Sequence, residues 1–321
     1  MSNQDPSITA TPSFLLYLQL TSVSVIWGGT FVAGRFLSGG VPPLLAASIR
    51  FLIASLALII FLVVTRTPFI KPNPKQLLQL VFLGFFGIFL YNICFFYGLH
   101  YVNASRASLI VALNPAVIAL ASYMLFQEKL SAPKVLGILF CLIGAGLVIV
   151  SKNTNVFKSS NFAWMGDLLI LGCVMSWVIY SVFSKNLSSA IGPLHTVTYS
   201  ILLGTLMLCS ATFALGEVST SLLSAISLPQ LLSLLYLGVL GSALAYILYY
   251  NGIQKIGATR SGVFIALNPM TAVLLGALIL GERLTFSMCV GGVFAVLGIY
   301  LCNQHKPLKF SKAPSFQSES A

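Results

Sequence analysis

Along this chain, apolar residues come in long unbroken runs. Each run is closed by a short stretch that holds proline, glycine or an isolated charge. Runs of about 18–23 residues, rising 1.5 Å per residue, match a bilayer core about 30 Å thick. Ten such runs are legible, at residues 14–34, 43–64, 77–99, 104–126, 132–151, 164–185, 193–214, 229–250, 260–281 and 285–303. They are too continuous for the in–out alternation of a lipid-facing barrel strand, so they read as helices. The connections are short, as in VPPLL at 41–45 and KPNPK at 71–75. The pattern predicts an all-α integral membrane protein with ten transmembrane helices.

Composition supports that reading. The chain is 58% hydrophobic and 7% charged, whereas soluble domains carry about 25% charge. A water-soluble fold could not cover its surface with so little. The net charge of +11 does not point to nucleic acid, because the 17 Lys and Arg are scattered singly between apolar runs. That scatter fits orientation signals at membrane borders. With the N-terminus inside, eleven cations fall on the cytoplasmic side and five on the other, with Arg50 inside a span. Both termini, residues 1–13 and 304–321, are therefore expected in the cytoplasm. Residues 1–13 carry no Lys or Arg, so the first run is expected to be a retained span and not a cleaved signal. The six cysteines form no CxxC pair and read as buried hydrophobes.

The chain also repeats itself. ASRASLIVALNP at 104–115 and ATRSGVFIALNP at 258–269 share six of twelve positions, and Glu128 and Glu282 each follow the proline by thirteen residues. At the same offset of 154, Gly84, Gly98, Gly137 and Gly144 fall on Gly238, Gly252, Gly291 and Gly298. Nearer the start the offset is 150, which places Trp27 on Trp177, Arg35 on Lys185 and Pro43 on Pro193. The expectation is two repeats of five helices, at 14–151 and 164–303. Five is odd, so the second repeat enters the membrane inverted, and a substrate site is expected between the halves near the midplane.

These motifs carry a family resemblance: SVIWGGTFVAGR at 24–35, SIRFLIA at 48–54, the two ALNP segments, QEKL at 127–130 and GERL at 281–284. The chain resembles the EamA-type transporters of the drug/metabolite transporter superfamily over about 14–303. The resemblance implies a ten-helix inner-membrane carrier of small metabolites, often an exporter of amino acids or related compounds. It implies a cavity built by spans 1, 3, 4, 6, 8 and 9, and it favours a structural role for Arg50. It does not name the cargo.

Several residues are candidates for the chemistry. Pro115 and Pro269 sit mid-helix, where a proline removes one N–H bond and frees the carbonyl four residues back, at Val111 and Ile265. Asn114 and Asn268 precede them and can supply donors, which makes the prolines candidate hinges. A static kink is the competing reading. Arg50 is the one cation well inside a span, where ionisable groups are costly and face protein or water. Its fork suits a carboxylate or phosphate; the alternative is an arginine tied to helix carbonyls. Tyr91, Asn92, Tyr246 and Tyr250 form a polar aromatic set suited to a zwitterion or a ring. For Tyr97, Tyr250 and Asn251 the competing role is interfacial anchoring. Trp27 and Trp177 are candidate stacking walls, with Ser176 and Tyr180 adding hydroxyls.

Acidic residues inform by scarcity. None of the six lies near the centre of a span, which argues against cationic drugs as cargo. Asp167 is the best candidate for proton coupling. No metal or cofactor is expected, and there is no Walker loop GxxxxGK[ST]. An intramembrane enzyme is the rival class, but no acidic metal motif or paired intramembrane Asp is present. The sequence thus predicts a secondary transporter that exports a small polar metabolite by alternating access. The alternative cargo is a nucleotide or S-adenosyl compound, imported or exchanged. The expected partners are that small molecule and the bilayer, in a monomer or homodimer.

Overall fold

The computed structural model describes residues 14–37, 41–101, 110–127, 130–152, 163–217, 226–280 and 285–303. Both tails, Arg106, Glu128 and Glu282 lie outside the described residues. The described residues are almost wholly helical and contain no strand. In chain order the α-helices are α1 (Phe14–Leu37), α2 (Pro43–Val64), α3 (Pro74–Gly84), α4 (Tyr91–Tyr101), α5 (Asn114–Phe126) and α6 (Ala132–Lys152). Then come α7 (Ala163–Ile191), α8 (Pro193–Ala214), α9 (Leu228–Leu235), α10 (Ala245–Ile256), α11 (Ala258–Gly262), α12 (Asn268–Leu280) and α13 (Phe286–Asn303). A π-helical segment, Phe85–Leu90, joins α3 to α4, and another, Tyr236–Leu244, joins α9 to α10. A 3-10 segment, Val263–Leu267, joins α11 to α12.

Among the described residues, eight helical stretches are long and apolar enough to cross a membrane. Two shorter apolar helices, Asn114–Leu125 and Ala132–Leu147, occupy the fourth and fifth predicted spans, so the set fits ten. Large apolar side chains cover the outer surface. Phe14, Phe213, Leu278 and Phe286 are each at least 78% exposed, a surface that only lipid tails can cover without penalty. The chain is a multi-pass membrane protein. The sixth span runs to Ile191, six residues beyond the predicted end, because KNLSSA continues the helix until Gly192 at φ 84 breaks it.

Local chemistry sets the helix ends. Asn73 caps α3 by accepting from the Gln76 N–H at 2.8 Å, while the Gln76 side chain accepts from the Asn73 N–H at 2.9 Å. Ser227 and Gln230 make the same reciprocal box at α9, with proline in the first turn in both cases. This satisfies N–H groups that a helix start would leave orphaned. At the far end of α2, Arg66 takes a left-handed conformation at φ 52, and Gly216 does so at φ 68 after α8. Around each, the N–H groups of the last two residues reach back to helix carbonyls, as in Thr67 to Leu62 and Glu217 to Thr212.

Packing between spans depends on close backbone approach. On α6 and α13, a Cβ at Gly137 would sit 2.6 Å from the Gly298 carbonyl oxygen, and one at Gly144 would sit 2.5 Å from that of Gly291. Small residues at both places let two helices meet without side chains between them. Spans 2 and 7 are joined by hydroxyl pairs, Ser55 with Thr205 at 3.0 Å and Ser48 with Thr212 at 2.7 Å. Several contacts come in mates. Gly84 meets Ser200 and Leu203 as Gly238 meets Arg50 and Ile53. Gly98 meets Ile170 as Gly252 meets Leu20, and Gly87 meets Tyr180 as Gly241 meets Thr30.

Candidate functional site

The centre of the bundle is aromatic. Trp27 of α1 and Trp177 of α7 meet edge to face, with centroids 5.4 Å apart at 80°. Tyr246 of α10 stands edge-on to both, at 6.0 and 5.7 Å, and Tyr249 lies 5.2 Å from Trp27 and stacks on Trp177 at 5.7 Å. Tyr180 bridges Trp177 to Tyr250, and Tyr91 packs on Trp177 at 5.9 Å. Trp27, Trp177, Tyr180, Tyr246, Tyr249 and Tyr250 are all buried. Edge-to-face pairs of this kind add attraction beyond the area they bury.

The π segments help to place these rings. Each lies just before the aromatic run of its span, ending at Leu90 before Tyr91 and at Leu244 before Tyr246. Carbonyls of the second segment also take side-chain donors. Two of them accept from side chains: Leu237 from Ser242 Oγ at 2.9 Å and Gly241 from Trp27 Nε1 at 2.9 Å. Ser242 Oγ in turn accepts from Arg50 Nε at 2.7 Å.

Arg50 is the charged element of the site. Its guanidinium lies 5.0 Å from the Phe51 ring centroid, with Tyr246 and Tyr91 within electrostatic reach. The side chain is crowded by protein on all sides, yet part of its surface stays accessible. No carboxylate pairs with it among the described residues, and its terminal nitrogens have no protein acceptor there. A forked cation with free donors beside aromatic faces can hold a planar anion.

The structure brings Trp27, Arg50, Tyr91, Trp177, Tyr180, Tyr246 and Tyr250 together. Tyr250 is fully buried, with its hydroxyl donating to the Tyr180 carbonyl at 3.3 Å. It is therefore no interfacial anchor, whereas Tyr97 is 44% exposed, as an anchor would be. Asn92 is buried but spends its amide on its own helix, donating to the Ile88 carbonyl at 2.6 Å. Asp167 stands ten residues before Trp177 on α7, about 15 Å along the helix, and so apart from the rings.

The proline stretches resolve differently from the expectation. The Ile265 carbonyl is not left for the Asn268 side chain, because the 3-10 turn gives it the Asn268 backbone N–H. Ser24 Oγ of α1 takes the neighbouring Phe264 carbonyl at 2.7 Å. The amide oxygens of Asn114 and Asn268 are both buried without a protein donor. They are acceptors held ready beside the two prolines.

Sequence reasoning missed Ser242 and Ser181, and it saw Tyr249 in the AYILYYNG run without choosing it for the site. Tyr249 was legible as one of three tyrosines in AYILYY, but spacing alone gave it no precedence over its neighbours. An open apolar hollow of about 880 Å³, lined by Leu130, Pro133, Leu136 and Leu301, lies on the outside of α6 and α13. It is remote from the aromatic centre and has no polar group suited to a solute.

Comparison with known proteins gives three results. The model of the EamA-like transporter family matches twice, at residues 15–150 and 164–304. Curated relatives include the uncharacterized transporter YetK of Bacillus subtilis, 29% identical over 89% of this chain and 86% of its own. The uncharacterized transporter YdfC of the same organism is 30% identical over 85% and 86%. Protein PagO of Salmonella typhimurium is 27% identical over 87% and 90%. One crystal structure of a protein superposes with a TM-score of 0.75 at 20% identity, covering 90% of this chain and 96% of its own, which supports the fold.

Proposed function

The chain belongs to the EamA-like transporter family, and on that premise we propose that it is a secondary carrier of a small polar metabolite that bears a carboxylate. An amino acid or related compound fits best, moved outward across the inner membrane by alternating access. The observation that carries this reading is Arg50, a deep guanidinium with free terminal donors and no carboxylate beside it among the described residues. An unbalanced cation at that depth is costly, and an anionic group of the cargo offsets the cost. Tyr246, Tyr91 and the two tryptophans offer faces and hydroxyls to the rest of the molecule without adding charge.

The halves are read as inverted five-helix repeats with both termini in the cytoplasm. Support comes from the double family match and from the mated contacts of Gly84 with Gly238 and Gly98 with Gly252. Each repeat brings one tryptophan to the centre, so rocking of one half against the other would pass the site from side to side. Proton coupling, with Asp167 as its carrier, belongs to the same reading.

Counterflow in proteoliposomes tests it. The panel comprises amino acids, nucleotides and S-adenosyl compounds, with and without a pH gradient. The expected result is exchange of a carboxylate-bearing solute, lost in Arg50→Gln and partly kept in Arg50→Lys. Exchange that persists unchanged in Arg50→Gln would remove the guanidinium from recognition, and no exchange of any compound would defeat the metabolite reading.

A further inference from the structure

One side of the aromatic centre is lined by polar atoms with no partner in the protein. On α7, Trp177, Ser181 and Ser188 recur at intervals of four and seven residues, which places them on one face of the helix. Trp177 Nε1, Ser181 Oγ and Ser188 Oγ are buried and make no hydrogen bond. Across from them the Tyr249 hydroxyl is in the same state, although it lies close to both Ser181 and Trp177. Both neighbours are close enough to act on it, without meeting the geometry of a full hydrogen bond. The Ser261 hydroxyl, on α11, is also buried without a partner. Gly262 beside it approaches the Tyr249 hydroxyl, and Gly252 approaches Ser261 itself. At the far end, Gln254 Nε2 donates to the Ser188 carbonyl at 3.0 Å, which ties α10 to the last turns of α7.

Five such groups on the facing elements α7, α10 and α11 are not what dry packing yields. Buried hydroxyls and indole N–H groups are nearly always paired, by protein or by water, and serines within helices usually bond back to the carbonyl four residues earlier. Other serines here do so, as Ser189 does to Lys185. The face also has no equal in the other half. At offsets of 150 and 154, the positions matching Ser181, Tyr249 and Ser261 carry Phe31, Phe95 and Ala107, and only Ser188 keeps a hydroxyl, at Ser38. Phe95 stacks on Tyr91 at 6.1 Å with an interplanar angle of 10°.

We propose that Trp177, Ser181, Ser188, Tyr249 and Ser261 line a hydrated path from the aromatic centre to the end of the molecule where α7 and α10 finish and α11 begins. Water and the neutral hydrogen-bonding groups of the cargo pass along it. The matching positions of the first half are poorer in hydroxyls, with Phe31, Phe95 and Ala107 in place of Ser181, Tyr249 and Ser261. Calling the path a route for cargo rests on the carrier reading; its hydration does not.

Thiol accessibility tests it, since the thiolate forms and reacts only where water reaches. The six native cysteines are first replaced. Single cysteines are then placed as Ser181→Cys, Ser188→Cys and Ser261→Cys, with Phe95→Cys and Val178→Cys as controls. The protein in proteoliposomes is treated with the impermeant reagent 2-(trimethylammonium)ethyl methanethiosulfonate, applied from each side in turn. The expected result is modification of the three path cysteines at least about tenfold faster than of either control, and from one side only. Rates no faster than the controls would overturn the proposal, as would equal access from both sides.

A second measurement covers variants that assemble poorly. The triple variant Ser181→Ala/Ser188→Ala/Ser261→Ala should keep or lower the unfolding temperature, because hydrated hydroxyls are already satisfied. A clear rise in unfolding temperature would mark them as dry orphans and overturn the path. Fast labelling without counterflow of any metabolite would keep the path and defeat the carrier reading. Counterflow without labelling would do the reverse.

Discussion

Trp27 and Trp177 occupy matching positions in the two halves, and the same substitution at each should have different consequences. Both are more than nine-tenths buried, at 8% and 6% exposure, and each touches the other's ring. Trp→Phe keeps an aromatic face at either site and leaves a similar hole, so the packing cost nearly cancels in the comparison. The indole nitrogens differ. Trp27 Nε1 donates to the Gly241 carbonyl at 2.9 Å, whereas Trp177 Nε1 has no partner. Trp27→Phe therefore removes a buried hydrogen bond to a carbonyl of the second π segment, at a cost of about 0.5–1.5 kcal/mol. Trp177→Phe orphans nothing. The difference between the variants should be about 0.5–1.5 kcal/mol, with Trp27→Phe the less stable. At the ~2 °C per kcal/mol that suits larger domains, the midpoints should differ by about 1–3 °C. Thermal unfolding of the detergent-solubilised protein, followed by the loss of its monodisperse chromatographic peak, measures this. Counterflow should rank the pair the other way, because the free N–H of Trp177 faces the proposed path. Equal midpoints, or Trp177→Phe as the less stable, would refute the assignment of the Trp27 bond.

Further predictions concern packing, hinge and cap. Gly144→Val should cost at least about 1–3 kcal/mol and abolish monodisperse protein, since a Cβ there meets the Gly291 oxygen at 2.5 Å and the Ala295 nitrogen at 2.7 Å; Gly34→Ala, with nothing within 4 Å, should be silent in the same assay. A double-mutant cycle on Ser55→Ala and Thr205→Val should give a coupling of about 0.5–1.5 kcal/mol in denaturant titrations, and zero coupling would deny the bond. Pro269→Ala should slow counterflow turnover more than it weakens solute binding, and the opposite pattern would defeat the hinge. Arg66→Gly, at φ 52, should raise stability by up to about 1 kcal/mol, read as a higher unfolding midpoint, because glycine adopts that conformation without strain.

Much was legible in the sequence because the bilayer imposes a strong constraint. A helix that crosses lipid must be apolar for its whole length, so the spans and their order could be read from composition and run length alone. Matching motifs at offsets of 150 and 154 likewise revealed the doubling, since each repeat had to keep the glycines that permit close packing. The candidate aromatic residues were named for the same reason: polar rings at depth need a purpose. What the sequence could not supply was direction. In AYILYY three tyrosines lie within five residues, and nothing local says that all three turn inward. The π segments advance the helix by more residues per turn than the regular α period, so the face presented after them cannot be read from a 3.6-residue count.

Run length and charge scatter therefore determined that the chain is a helical membrane protein, and which residue types were out of place in lipid. Only the tertiary structure decided which of those residues meet. It placed Tyr249 beside Trp177, gave Trp27 a partner and Trp177 none, and left Arg50 without a carboxylate among the described residues. The reason is physical. Burial in lipid acts on each helix separately and is written in its own residues. Hydrogen-bond partnership depends on where two distant helices touch, which only packing fixes.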